Sequence, residues 1–249
     1  MIELAIYPSQ YLRGSEKCFL LIHGYTGSPY EMMYIAEGIN RNLGWTVRVP
    51  RLPGHSTFTE DFLETTRRDW KRRVFDEFLD MKSCCEEIVV GGLSMGGILS
   101  VILASKFNIE RVVLYAPAFL TAFQKYIPLT MVLSTFLRKT KKKNPPKEEE
   151  DPIKRRLREE YWVYNFYKQS WEFFKLQFEG RKKLPEFSGE ALVVVSKSDR
   201  TVPINVKDYL DKNMGGRKKF VILEKSQHVL TVDIEKEKVL EETLKFLKG

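Results

Sequence analysis

Two rhythms of apolar residues alternate along this chain. Short, continuous runs rich in β-branched residues occur at 18–22 (CFLLI), 45–50 (WTVRVP), 88–90 (IVV), 111–116 (RVVLYA), 191–195 (ALVVV) and 219–223 (KFVIL). Such runs, apolar at successive positions, predict strands covered on both faces. Between them the spacing becomes helical. Residues 30–43 keep that period and stop before Gly44, and 67–85 place Trp70, Val74, Phe78 and Met81 about one turn apart. Further helices are predicted over 98–107, 203–213 and 234–247, and a short edge strand over 2–7. Strands alternating with helices predict an α/β fold, a mostly parallel sheet with helices on both faces.

The alternation breaks between residues 118 and 187, where no buried-strand pattern occurs. The stretch 138–158 is strongly basic, Asn144-Pro145-Pro146 interrupts any helix there, and 161–178 is crowded with aromatic residues such as Tyr161, Trp162, Phe173 and Phe174. That density exceeds what one helix face needs for anchoring. The segment 118–187 therefore reads as a helical insertion, a cap or lid, on a core made of 1–117 and 188–249.

Composition narrows the picture without changing it. A chain of 249 residues with 43% hydrophobic and 30% charged residues can bury one sizeable core. No apolar run approaches the ~18 residues of a membrane span. The first residues lack a basic stretch followed by an apolar one, so no secretory signal and no stable membrane anchor are expected. Three cysteines, Cys18, Cys84 and Cys85, match no metal spacing, and the expectation is reduced thiols in the cytoplasm. The net charge of +8 is concentrated in the insertion, which reads as a solvated face; no nucleic-acid partner is expected. A homodimer through the insertion stays open.

The chemistry centres on Gly92-Leu93-Ser94-Met95-Gly96, between a strand pattern and a helix pattern. A serine presented at the tip of a strand needs a tight turn, and side chains at 92 and 96 would collide with the neighbouring elements. The Met95 amide then falls at a helix N-terminus, where a partial positive charge favours an oxyanion. A serine nucleophile needs an imidazole base, and the base needs a carboxylate. His228 follows the last strand and Asp199 the one before it, so the chain order is Ser94, Asp199, His228. His23 and His55, in Gly-containing loops, read as bracing residues. Asp233, five positions after His228, is the competing acid, although a helix-capping role suits it better.

In these stretches the chain resembles the α/β-hydrolases, and among them small bacterial carboxylesterases and monoacylglycerol lipase-like serine hydrolases. The motifs are LLIHGYTGSP (20–29), RLPGHS (51–56), GLSMGG (92–97), SKSDRTVP (196–203) and SQHVLTVD (226–233). The resemblance covers both flanks and says little about 118–187. It implies oxyanion-hole amides at Tyr25 and Met95, a catalytic set of Ser94, Asp199 and His228, and no metal or organic cofactor. The expected reaction is hydrolysis of a small-molecule carboxylic ester with a short-to-medium or otherwise apolar acyl group. A monoacylglycerol or an aromatic, feruloyl-type ester is the alternative, and a non-catalytic ligand receptor on the same scaffold the remote one.

Overall fold

The strand Glu87–Leu93 lies near the middle of a seven-stranded sheet, in a computed structural model that describes residues 5–249. In chain order the strands of this sheet and of a separate hairpin are β1 (Gln10–Leu12), β2 (Ser15–Ile22), β3 (Trp45–Val49), β4 (Glu87–Leu93), β5 (Arg111–Tyr115), β6 (Lys139–Lys141), β7 (Tyr164–Phe166), β8 (Glu190–Ser196) and β9 (Arg217–Leu223). The main sheet runs β1-β3-β2-β4-β5-β8-β9, parallel throughout except for antiparallel β1 at its edge. Residues 2–4 of the expected edge strand lie outside the described residues. Residues 5–7 are not a strand; the Ile6 amide donates to the Ser56 carbonyl, and the edge is formed by β1 instead.

The continuous apolar runs are explained by burial on both faces. Cys18, Leu20, Ile22, Val90, Val112, Leu114 and Val193 point to one core, and Phe19, Leu21, Val89, Val113, Leu192 and Val194 to another. The helices are α1 (Met33–Leu43), α2 (Thr59–Glu64), α3 (Arg67–Lys82), α4 (Met95–Phe107), α5 (Ile127–Leu133), α6 (Pro152–Leu157), α7 (Tyr167–Lys183), α8 (Val206–Asn213) and α9 (Lys236–Lys248). Side chains of α3, α4 and α8 fill the first core, while those of α1 and α9 fill the second. Helix α1 ends at Gly44, whose φ of 67° is a left-handed cap that other residues adopt only with strain. Helix α3 begins with a capping box between Thr66 and Asp69.

Between β5 and β8 the chain forms α5, β6, α6, β7 and α7, with β6 and β7 paired antiparallel as a hairpin whose long connection carries α6. The hairpin corrects the expectation of an all-helical insertion. Its strands have three residues each and Lys-Thr-Lys carries no strand-like apolar pattern, so the pairing is set by tertiary contact. Helix α7 packs on α4, and Gly180 makes that approach possible: a Cβ there would lie 2.4 Å from Ile98 Cγ2. The Glu172 carboxylate pairs with Arg67 at 2.8 Å, and the Gln169 amide donates to the Leu63 carbonyl at 2.8 Å, tying α7 to the helices below it.

The cysteines overturn a second expectation. Cys18 and Cys85 are joined in a disulfide with a Cα separation of 6.0 Å; Cys84 alone is free. Parallel pairing of β2 with β4 sets Cys18 beside Ile88, and so brings two distant positions together. Sequence spacing carries no trace of that pairing. The cytoplasmic expectation rested on reduced thiols and loses that support. No helix among the described residues is long and apolar enough to cross a membrane.

Candidate active site

Ser94 occupies the sharp turn between β4 and α4 with φ 56° and ψ −111°. A non-glycine residue in that region stores about 1–3 kcal/mol of strain, which the surrounding packing must offset. The flanking glycines show how little room there is. A Cβ on Gly96 would sit 2.1 Å from the Ile22 carbonyl oxygen, and one on Gly92 2.5 Å from the Gly96 carbonyl carbon. The Ser94 amide donates to Tyr115 O at 2.9 Å, and the Ser94 carbonyl accepts from Ala118 at 3.2 Å, so the turn is fixed to the end of β5. Met95 is the first residue of α4, which places its amide among the unpaired N–H groups of the helix start.

His228 lies beyond β9 and Asp199 beyond β8. The Nδ1 of His228 is 2.8 Å from Asp199 Oδ2. The other carboxylate oxygen accepts from the amides of Thr201, at 2.7 Å, and Val202, at 2.9 Å. The Asp199 side chain is 1% exposed and so has its lone pairs filled from within the protein. This arrangement leaves Nδ1–H on the side of Asp199 and Nε2 free to accept a proton. Ser94 and His228 line the same two cavities.

Asp233, the competing acid, is occupied elsewhere. It accepts from the Gln227 amide and, at 2.8 Å, from Ile234. Glu235 accepts from the amides of Lys225 and Ser226 at 2.8 Å each, and these amides hold its carboxyl down at about 2 against the opposing effect of burial. The two acids brace the loop that carries His228. Asp233 does not cap the last helix with its side chain, because α9 starts only at Lys236, after Glu235.

The loop after β2 carries Tyr25. The Nδ1 of His23 is 3.0 Å from the Gly24 carbonyl, while its Nε2 accepts from the Leu52 amide at 3.1 Å. Full burial lowers its pKa to about 4, so it is a neutral brace between two loops. His55 is buried with its ring 5.2 Å from that of His23, and burial drives its pKa down too. Gly24 runs beside the serine, a Cβ at that position falling 3.4 Å from Ser94 Cβ. The Tyr25 side chain turns away into an aromatic cluster with Phe62, Trp70 and Phe173, and its hydroxyl lies 3.2 Å from Ser170 Oγ.

Two more residues belong to this neighbourhood: Glu31, which the sequence did not single out, and Lys142, which the basic stretch 138–158 assigns to a solvated face and which is half-buried instead. Glu31 is 8% exposed, and its carboxyl packs so close to Gly27 that a Cβ there would lie 2.2 Å from Oε2. Burial raises its pKa to about 7. Ser28-Pro29-Tyr30-Glu31 has the spacing of a capping box, the one signal that could have revealed it. Lys142, on the hairpin, lines the larger cavity. That cavity measures about 710 Å³ and is walled by residues of the segment between β5 and β8, including Tyr126, Leu129, Leu133, Trp162 and Phe174. The smaller one, about 180 Å³, lies between Gly24, Glu31, Ser94, Trp162 and His228.

A strained serine at a strand–helix turn, lining the same cavities as a histidine bonded to a buried carboxylate, on a mostly parallel sheet, is an arrangement found in serine hydrolases. The chain belongs to the alpha/beta hydrolase family, whose model matches residues 19–241. It is 30% identical over 238 residues to a thermostable monoacylglycerol lipase of Bacillus sp. (strain H-257), spanning 91% of this chain and 88% of that one. A carboxylesterase of Bacillus subtilis (strain 168) is 24% identical over 243 residues, covering 95% of this chain and 94% of its own. Among solved structures, one describing LipS and LipT, two metagenome-derived lipolytic enzymes, superposes with a TM-score of 0.85 at 26% identity, covering 97% of both chains.

Proposed function

We propose that this esterase uses Ser94, His228 and Asp199 as a catalytic triad, with the amides of Tyr25 and Met95 as the oxyanion hole. His228 Nε2 removes the Ser94 proton as Oγ attacks the ester carbonyl. The negative charge that develops on the carbonyl oxygen rests on the two amides, one of them at the start of α4. Asp199 keeps the imidazole in the required tautomer and stabilises its cation. His228 then passes the proton to the departing alcohol. Water, activated by the same imidazole, releases the acyl group and regenerates Ser94. The single observation that carries this reading is the 2.8 Å contact of His228 with Asp199 beside a serine held at φ 56°.

The segment 118–187 acts in this reading as the substrate-facing cap on the core of 1–117 and 188–249. Its apolar wall favours a short-to-medium or otherwise apolar acyl group, and the about 710 Å³ cavity is large enough for the chain of a monoacylglycerol. The test is hydrolysis of p-nitrophenyl esters of graded acyl length by the intact protein and by Ser94→Ala. The expected result is turnover with a chain-length optimum, abolished in the variant. Turnover that survives Ser94→Ala refutes the nucleophile, and absence of turnover at every length refutes the ester substrate.

A further inference from the structure

The large cavity is lined by aromatic and aliphatic side chains interspersed with polar ones, and several of the polar groups are satisfied inside the protein, the Thr121 hydroxyl being a neutral exception. The Tyr161 hydroxyl donates to Gly54 O at 3.0 Å, Trp162 Nε1 donates to Thr26 O at 3.2 Å, and the Tyr167 hydroxyl is 2.9 Å from Thr140 Oγ1. Lys142 differs. Its backbone is fixed, because its amide donates to the Val163 carbonyl at 2.8 Å and so continues the β6–β7 ladder. Its side chain is half-buried against the cavity, yet no carboxylate, carbonyl or ring among the described residues meets its ammonium.

The contrast with its neighbours is informative. Two nearby cations, Arg138 just before β6 and Lys139 at its start, reach Glu64 and Glu60 on α2. Those pairs are largely solvent-exposed and contribute little. Lys141 and Lys143 are solvent-exposed; Lys142 is the one of the three that is half-buried and lines the large cavity, and it meets no counter-charge among the described residues. Burial alone holds its pKa below the usual lysine value, and no acid acts on it to compensate. A partly desolvated ammonium in an apolar wall is unfavourable in the empty protein and becomes favourable when an anion arrives.

We propose that Lys142 is an anion anchor of the substrate cavity, and that the enzyme accepts acyl groups carrying a carboxylate away from the scissile ester, as in the monoesters of dicarboxylic acids. This rests on the esterase reading, and it adds a charged specificity element to a cavity otherwise suited to plain aliphatic chains. The ammonium acts on binding and orientation only; bond making and breaking stay with Ser94 and His228.

The test compares two series of p-nitrophenyl esters, neutral alkanoates and mono-esters of dicarboxylic acids of the same chain length, on the wild-type protein, Lys142→Met and Lys142→Arg. Methionine keeps the apolar stem and removes the charge; arginine keeps the charge. The expected result is that Lys142→Met lowers kcat/KM for one or more carboxylate-bearing esters by about tenfold or more while changing neutral esters of equal length less than about twofold. Lys142→Arg should restore most of the loss, and added salt should weaken the wild-type preference. An ammonium that merely reaches solvent through the cavity mouth leaves the ratio between the two series unchanged in Lys142→Met, and that result overturns the proposal while the neutral esters still report a working enzyme. Failure of wild-type protein on both series would instead count against the esterase reading itself.

Discussion

Replacing Glu31 by glutamine should stabilise the protein at alkaline pH and do almost nothing in acid. The carboxyl is buried beside Gly27, with the Ser28 amide and the more distant Lys154 only partly offsetting its desolvation. Its pKa is therefore raised from 4.5 to about 7, which means the native state holds this proton more tightly than the unfolded chain. Stability falls as pH rises through that window, and above it the full penalty is present. At about 1.4 kcal/mol per pH unit, the penalty is about 3 kcal/mol. Glutamine keeps an oxygen that can accept from Ser28 and removes the charge. His23 works in the opposite sense: its pKa, lowered to about 4 by burial, withdraws stability as pH falls from 6.5. Because that contribution is common to both proteins, the difference between them isolates Glu31. Urea unfolding at pH 4.5, 6 and 8 should give a difference near zero at the first and about 3 kcal/mol in favour of Glu31→Gln at the last. A difference that does not vary with pH, or a variant less stable at pH 8, would refute the reasoning.

Three further outcomes follow from the same geometry. Asp199→Asn should retain the fold and lower kcat by roughly 10⁴, because the amide can donate to Nδ1 and select the wrong imidazole tautomer; stopped-flow or steady-state ester hydrolysis decides it, and a loss under tenfold would argue for another acid. Reducing the Cys18–Cys85 bond, whose partners are 67 positions apart, should lower unfolding stability by about 4 kcal/mol on the chain-entropy view. Thiol titration of the unfolded, unreduced protein should count Cys84 alone; three titratable thiols would contradict the bridge. Gly96→Ala should depress Tm and activity together, since the added methyl meets backbone at Ile22, and that part of the scaffold cannot rotate away.

The parts of the fold that were legible in the sequence are those governed by local chemistry. The strand runs at 18–22 and 191–195 are apolar at consecutive positions because the sheet is covered on both faces, and β2 and β8 contain them. Gly44 marked the end of α1 for the same reason it caps it, a positive φ. Helix boundaries elsewhere moved by a few residues: the stretch 30–43 divides into a 3-10 turn at Pro29–Met32 and α1, because Pro29 favours the tighter start. The candidate triad could be nominated from residue type and order, but its geometry rests on contacts between residues far apart in sequence. What stayed hidden was long-range: the Cys18–Cys85 bridge, the β6–β7 pairing, the α2 acids facing the hairpin, and a carboxyl at Glu31 whose unusual state is created by burial rather than by its neighbours in the chain.

Strands β5 and β8 are neighbours in the sheet, Tyr115 pairing with Val194, although the whole insertion separates them in sequence. The chain thus leaves and re-enters the sheet a strand's width apart, and the register is indifferent to what is spun out between. Loop-closure entropy varies so slowly with length that halving or doubling such an excursion changes it by only about 0.6 kcal/mol. The segment 118–187 can be lengthened, shortened or exchanged with little consequence for the strands that precede Ser94, Asp199 and His228, so the face it presents is free to drift while the scaffold beneath it stands still.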